Sequence, residues 1–319
     1  MKWFMNRIVF FLLILFTSMS WGHEMRPALL TIEQTDETTY RSVFKQPQIQ
    51  GRFLNLSVKT NCKSMFRNAR SNSTALEETF SLSCSEPLAQ IEITGLKRTL
   101  IDTMITIENL DGSTQNYLVN GREPRVSIAG GTSTPVYLIL GAEHLLFGID
   151  HVLFVLMLLY LVSGWRNLVK VVTSFTIAHS ITLGLSAFNV LSVSQAPVEA
   201  LIALSIVLLS LAALRGEGGL IHRQPWLIAF MFGLLHGLGF AGALSELGLP
   251  QTSAAMALFL FNVGIELGQL AIIAVALILT FVVTRIGIKL TRPLVELPIY
   301  PIGGVAFYWF LDRSLQVLA

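Results

Sequence analysis

Within Gly141–Tyr160, His144 and His151 and the carboxylates Glu143 and Asp150 lie in sequence apolar enough to enter a bilayer. An ionisable group at that depth is costly, so four together point to a site. In helical register each like pair is seven residues apart and returns to nearly the same face two turns on. Two turns rise by about 10 Å, whereas two imidazoles on one ion each need a nitrogen at roughly 2.0–2.1 Å. Either the pairs are successive stations along a path, or the helix breaks between them at Gly148. His179 and His236 lie in two further apolar stretches, with Glu199 and Glu266 in two others. Only His23 and His222 fall outside this set. Imidazole with carboxylate suits divalent first-row metals, including nickel, cobalt, zinc and copper. Soft ligands are absent, since both cysteines lie elsewhere in the chain. Ser180 adjoins His179, and Asn262, Glu266 and Gln269, spaced four and three, share one helical face.

The elements that must position these groups follow from composition. With 53% hydrophobic and 13% charged residues and a mean hydropathy of +0.63, the chain departs from soluble proteins, about 25% charged, and reads as a polytopic membrane protein. The sequence is mostly polar before Pro135 and mostly apolar after it. Residues 1–22 carry Lys2 and Arg7, the apolar core Ile8–Phe16 and small residues at Ser20 and Gly22, the pattern of a secretory signal peptide. Cleavage after Gly22 would put His23 at a new N-terminus, where amine and imidazole together can chelate a metal.

Residues 23–129 alternate and turn, as in Tyr40-Arg-Ser-Val-Phe, Phe53-Leu-Asn-Leu-Ser-Val and Ile91-Glu-Ile. Short β-branched and aromatic runs broken by Asn, Gly and Ser predict a small antiparallel β-sandwich outside the cytoplasm. Its Cys62 and Cys84, the two cysteines of the chain, are expected to form a disulfide there. Residues 130–136 form a Gly/Ser/Thr/Pro linker, and 137–319 a transmembrane helical domain.

Apolar blocks at roughly 144–164, 167–189, 197–214, 225–246 and 254–284 each approach the 17–25 residues that span a bilayer. A sixth, Pro298–Leu311, is short and aromatic. Arg166 and Lys170, then Arg215 and Arg223, then Arg285, Lys289 and Arg292 fall in alternate loops, while Leu191–Ala196 and Gly248–Ser253 carry no Lys or Arg. This alternation places the cationic loops in the cytoplasm and the β-domain and C-terminus outside, across the bacterial inner membrane, for about six spans. Gly233 and Gly237, and Gly264 and Gly268, make small-xxx-small faces for close helix packing.

His144-Leu-Leu-Phe-Gly148-Ile-Asp150-His151 resembles the H-x-x-x-G-x-D-H signature of the HupE/UreJ family, membrane proteins associated with nickel or cobalt uptake. The likeness extends to Phe175-Thr-Ile-Ala-His-Ser-Ile-Thr-Leu, Val198-Glu-Ala-Leu-Ile-Ala, Phe232-Gly-Leu-Leu-His-Gly-Leu-Gly-Phe-Ala and Phe261-Asn-Val-Gly-Ile-Glu-Leu-Gly-Gln-Leu. These match the branch with an extracytoplasmic N-terminal domain. In one departure, the proline that follows the first histidine in typical members is Leu145 here.

The expected function is therefore transport of a divalent metal, Ni²⁺ or Co²⁺ foremost, with Zn²⁺ or Cu²⁺ compatible. Asp150, His151, His179 and His236 would be ligands, and Glu143 and His144 would collect the ion at the outer mouth. Glu199 and Glu266 would supply charge compensation or proton exchange. Two rival readings use the same residues: a zinc-dependent intramembrane hydrolase with Ser180 polarising the substrate, and a metal sensor or assembly factor. No G-x-x-x-x-G-K-[ST] loop occurs in the sequence, so no ATP site is expected. Expected partners are the metal ion and the lipid bilayer, without nucleic acid. A second copy of the chain, or an extracytoplasmic partner of the β-domain, would complete the set.

Overall fold

The computed structural model describes residues 27–49, 52–71, 75–99, 101–128, 136–188, 190–191, 193–215, 219–239, 254–286, 291, 293 and 296–318. The expected signal peptide, His23 and all of the linker but Val136 lie outside these residues.

The first half is all β. In chain order the strands are β1 (Ala28–Gln34), β2 (Thr39–Ile49), β3 (Arg52–Phe53), β4 (Ser57–Thr60), β5 (Lys63–Ser71), β6 (Ala75–Ser83), β7 (Gln90–Thr94), β8 (Thr103–Glu108), β9 (Thr114–Val119) and β10 (Arg125–Ser127). One sheet runs β5-β6-β2-β1-β8-β9, with β3 paired to β2, and a second runs β10-β7-β4. Alternate residues of both sheets meet in a shared core of Leu30, Ile32, Phe44, Phe80, Leu82, Ile91, Ile93 and Ile105, as the period-2 pattern requires. The sandwich is not wholly antiparallel as expected, because β1 and β8 pair in parallel. A parallel pair needs a long crossover, and the strands from β2 to β7 supply it. The expected disulfide is present, joining Cys62 before β5 to Cys84 after β6.

The second half is helical: α1 (Val136–Phe147), α2 (Ile149–Leu161), α3 (Trp165–Ala187), α4 (Gln195–Arg215), α5 (Leu220–Arg223), α6 (Pro225–Gly239), α7 (Ala254–Arg285) and α8 (Ile299–Leu318). Among the described residues, three helices are long and apolar enough to cross a membrane: α3, α4 and Ala254–Val283 of α7. The pair α1 and α2, bent by 73°, is together apolar and long enough to be a fourth as one broken span, or a re-entrant loop. The six expected spans are therefore matched only in part. Helix α6 has fifteen described residues, and α8 carries Asp312 and Arg313 within its twenty. Ile177, Ile181, Leu201, Leu208, Phe259, Ile278 and Phe281 turn outward as exposed apolar side chains, a surface suited to lipid.

Glycine sets the helix spacing. A Cβ on Gly233 would lie 2.5 Å from the Phe175 carbonyl oxygen of α3 and 2.9 Å from Ala178 Cβ. Gly237 likewise meets the His179 carbonyl, Gly264 the Leu138 carbonyl of α1, and Gly268 the Leu145 side chain. The two small-residue faces thus seat α6 on α3 and α7 on α1, where any larger residue would push the backbones apart.

Candidate metal centre

The chain breaks at Gly148. Its φ of −71° and ψ of 91° leave the helical region, and α1 and α2 meet at a bend of 73°. The glycine is needed because a Cβ there would stand 2.7 Å from the His144 carbonyl oxygen and 2.9 Å from His151 Nδ1. The bend abolishes the two-turn separation of a straight helix. The His144 and His151 ring centroids lie 4.9 Å apart, so of the two arrangements left open by the sequence the broken helix is the one adopted.

Two more helices bring their histidines to the same place. The His151 ring is 5.9 Å from that of His179 on α3 and 5.1 Å from that of His236 on α6, and His144 is 6.3 Å from His179. His179 and His236 are fully buried, and His151 is nearly so.

The partners of these rings fix their chemistry. Asp150, in the first turn of α2, accepts from the His151 backbone N–H at 2.9 Å and faces His151 Nδ1 at 3.1 Å. An ionised carboxylate can only accept, so Nδ1 carries the proton and Nε2 keeps its lone pair. In the same way His236 Nδ1 donates to the Phe232 carbonyl at 2.9 Å, leaving its Nε2 as the free donor atom. Orientation of a ring through its remote N–H is how proteins prepare imidazole to bind metal. Both Nε2 atoms, and both ring nitrogens of His179, are buried without a hydrogen-bond partner among the described residues.

Around them stands an aromatic wall that the sequence reading did not assign to the site. Phe175 stacks on His179 at 5.9 Å and meets His236 edge-on at 5.2 Å, Phe154 is 4.9 Å from His236, and Phe261 is 5.5 Å from His144. Phe154 and Phe175 are fully buried. Such a wall excludes water and strengthens electrostatic interactions inside. Among the described residues no three donors already close on one point as metal ligands, so the rings must turn about their side-chain torsions to share an ion.

The remaining expected residues distribute themselves around this cluster. His144 sits within it, not at an outer mouth apart from it. Glu143 turns instead to the β-domain, where its carboxyl is hydrogen-bonded to that of Asp102, a partner the sequence did not suggest. Burial pushes the Asp102 carboxyl above its usual range, against the opposing effect of that hydrogen bond. Glu199 forms an ion pair with Arg313 of α8 at 3.3 Å, and Arg313 also donates to the Glu199 carbonyl at 3.2 Å. The sequence reading ended the last apolar block at Leu311 and so did not connect Arg313 with Glu199.

Glu266 accepts from Thr173 at 2.6 Å, and Gln269 from Thr176 at 3.1 Å, joining α7 to α3. Asn262 donates to the Leu258 carbonyl of its own helix. Ser180 likewise donates to the Thr176 carbonyl at 2.7 Å.

Residues 122–313 match the family described as HupE / UreJ protein. No curated protein matches the chain. A match over more than half the chain, spanning every helix that supplies a histidine, decides the assignment: the chain belongs to the HupE/UreJ family of membrane proteins.

Proposed function

We propose that the protein carries a divalent transition-metal ion inward across the bacterial inner membrane. Ni²⁺ or Co²⁺ is the cargo favoured by the family's association with nickel and cobalt transport, and Zn²⁺ or Cu²⁺ suits the same donors. The observation that carries this reading is the pair of lone-pair nitrogens, His151 Nε2 and His236 Nε2, buried without partners among the described residues and oriented by Asp150 and Phe232. Each such atom loses its hydration on burial and recovers nothing until a ligand arrives. His179 and His144 complete the donor set, and Asp150 adds a negative charge to balance the cation.

From the cluster, His179, Thr176 and Thr173 step along α3 in intervals of three, each about 4.5 Å of rise. Glu266 and Gln269 of α7 face the two threonines. We assign this polar stripe as the route toward the N-terminal end of α3, where Arg166 stacks on Trp165 and Lys170 on Trp226. Cations with tryptophans suit the cytoplasmic interface. The β-domain then lies outside, consistent with its disulfide, and residues 1–22 serve as its export signal. Glu199, paired with Arg313, provides charge compensation or proton exchange beside the path. The hydrolase reading is the weaker one, because the Ser180 hydroxyl is bonded to its own helix.

The test is metal accumulation in sealed vesicles containing only this protein. Uptake that depends on His151 and His236 is expected. Tight metal binding without accumulation would replace transport with a sensing or assembly role, and normal uptake by His151→Ala would remove the cluster from the path.

A further inference from the structure

One face of the larger sheet is the β-domain's seat on the helices. Leu29 of β1, Met104 of β8 and Leu118 of β9 pack with Val136 and Tyr137 at the start of α1, Ala257 and Leu258 at the start of α7, and Leu183 and Ala187 at the end of α3. All of these helix termini belong to one end of the bundle, so the sheet lies across that end. Strands β1, β8 and β9 supply the seat, while β2, β6 and β5 continue the same sheet beyond it, adding about 4.8 Å per strand.

Register identifies what this overhang presents. Residues directly opposite one another share a face. Leu29 pairs with Lys45, Lys45 with Glu77 and Glu77 with Arg70, while Glu33 pairs with Arg41, Arg41 with Ser81 and Ser81 with Met65. Thr39, Ser83 and Lys63 form the next row. The opposite face holds Leu30, Phe44, Phe80 and Leu82, all buried in the sandwich core. The side of the overhang continuous with the seat therefore carries Arg41, Lys45, Lys63 and Arg70. Among the described residues two acids lie on or beside that side, Glu77 at 3.5 Å from Lys45 and Glu33 of β1 directly opposite Arg41, so the four cations outnumber them.

Strand β5 at the rim is exposed along its whole length, yet it is pinned to β6 by the Cys62–Cys84 disulfide. A bulge between Met65 and Asn68 re-aims it. At that bulge Phe66 adopts a φ of 52°, rare for a bulky residue, and stands 86% exposed beside the half-exposed Met65.

A cationic face with an aromatic and a methionine at its edge, lying beside a bundle whose flanks suit lipid, has an evident counterpart. We infer that the overhang of β2, β6 and β5 docks on the anionic phospholipid headgroups of the leaflet beneath it. Arg41, Lys45, Lys63 and Arg70 meet the headgroup phosphates, and Phe66 and Met65 enter the interface. The attraction is the one that draws basic segments to anionic membranes, and the apolar pair adds the burial that amphipathic elements use. Docking would hold the β-domain level over the bundle end that leads to the histidines. The inference needs the membrane assignment only, and stands whether or not metal is carried.

The test is amide hydrogen exchange of the full-length protein in nanodiscs of phosphatidylcholine alone or of phosphatidylcholine and phosphatidylglycerol in equal parts. Exchange across 63–71 is expected to slow roughly fivefold or more in the anionic discs. The protection should vanish at about 1 M salt, where the screening length falls to about 3 Å, and in the triple variant Arg41→Gln, Lys63→Gln, Arg70→Gln. Unchanged exchange in β1 and β8 would certify that the variant is folded. Equal exchange of 63–71 in the two lipids overturns the inference. So does protection that follows the number of protein copies per disc instead of lipid charge, which would assign the face to a second copy of the chain.

Discussion

The two halves of the molecule treat buried polarity in opposite ways. In the β-domain, Gln46 is 1% exposed and its amide is fully used: Nε2 donates to the Leu56 carbonyl at 2.9 Å, and Oε1 accepts from the Leu56 N–H at 2.9 Å. The partnerless atoms there are two hydroxyls, Ser42 Oγ and Thr103 Oγ1, among the described residues. In the helical domain His179 is equally buried, yet among the described residues both its ring nitrogens lack partners, as do His151 Nε2, His236 Nε2, Gln269 Nε2 and Asn262 Oδ1. One half has spent its polar groups on its own fold. The other holds them ready, and an unsatisfied polar group that persists in a folded protein marks function more often than stability.

The comparison breaks most readily at the centre of the cluster. His151→Ala removes a donor and should abolish metal uptake. Asp150→Asn leaves the ring but removes the carboxylate that orients it, a change worth about 10–100-fold in metal affinity. Phe147→Leu, on the exposed side of α1, should leave uptake intact. Metal binding by calorimetry beside vesicle uptake reads all three, and wild-type behaviour of Asp150→Asn would detach the carboxylate from the site.

A sharper form pairs one substitution from each half. Gln46→Leu strands the N–H and C=O of Leu56 in a closed core, at about 1–3 kcal/mol for each group left unsatisfied, so the β-domain should melt at lower temperature. His179→Phe replaces an unpartnered ring by an apolar one of similar shape against Phe175. Stability should hold or rise while uptake is lost. A matching loss of stability in the two variants would show that His179 serves packing.

The disulfide gives a third contrast. Closing a loop of this separation stabilises by about 3 kcal/mol, so replacing Cys62 and Cys84 together by Ser should lower the β-domain's melting transition. Uptake at temperatures below that transition should remain. Alkylation of the unreduced, denatured parent checks the premise, since two reactive thiols would remove the bridge.

How much of this the sequence disclosed depended on the range of the physics. Pitch and ligand distance within eight residues narrowed the opening motif to two arrangements, of which a break at Gly148 was one, and the glycine faces followed from spacing within one helix. The histidine cluster was legible by type, because imidazole in apolar sequence is costly wherever it falls. Phe154 and Phe175 were not, since a phenylalanine facing a site and one facing lipid look alike in a hydrophobic run. Asp102 with Glu143, Arg313 with Glu199 and the parallel pairing of β1 with β8 join distant parts of the chain, and no local period encodes them. Family membership raised the metal reading, but the partners of each ring came from geometry.

The smallest expected effect lies where the two halves meet. Asp102 belongs to the β-domain, Glu143 to α1, and their hydrogen-bonded carboxyls sit beside the apolar seat of Leu29, Met104, Val136 and Tyr137. Burial raises the Asp102 carboxyl above its usual value of 3.8, so the folded protein holds that proton more tightly than the unfolded chain. Its favourable contribution is then complete below the unfolded value, about 3.9, and is lost as pH rises through the raised folded value. The seam should accordingly weaken as pH rises above about 4, opposite to the usual behaviour of an ion-paired carboxylate. Asp102→Asn keeps the shape and a hydrogen-bonding group while removing the titration. The full-length protein should therefore melt progressively earlier as pH rises over this window, and the variant should show a flatter dependence. Hydrogen exchange in β1 and β8 would localise the change to the seat. An identical slope in parent and variant would exclude Asp102 as the source and leave the two halves joined by apolar contact alone.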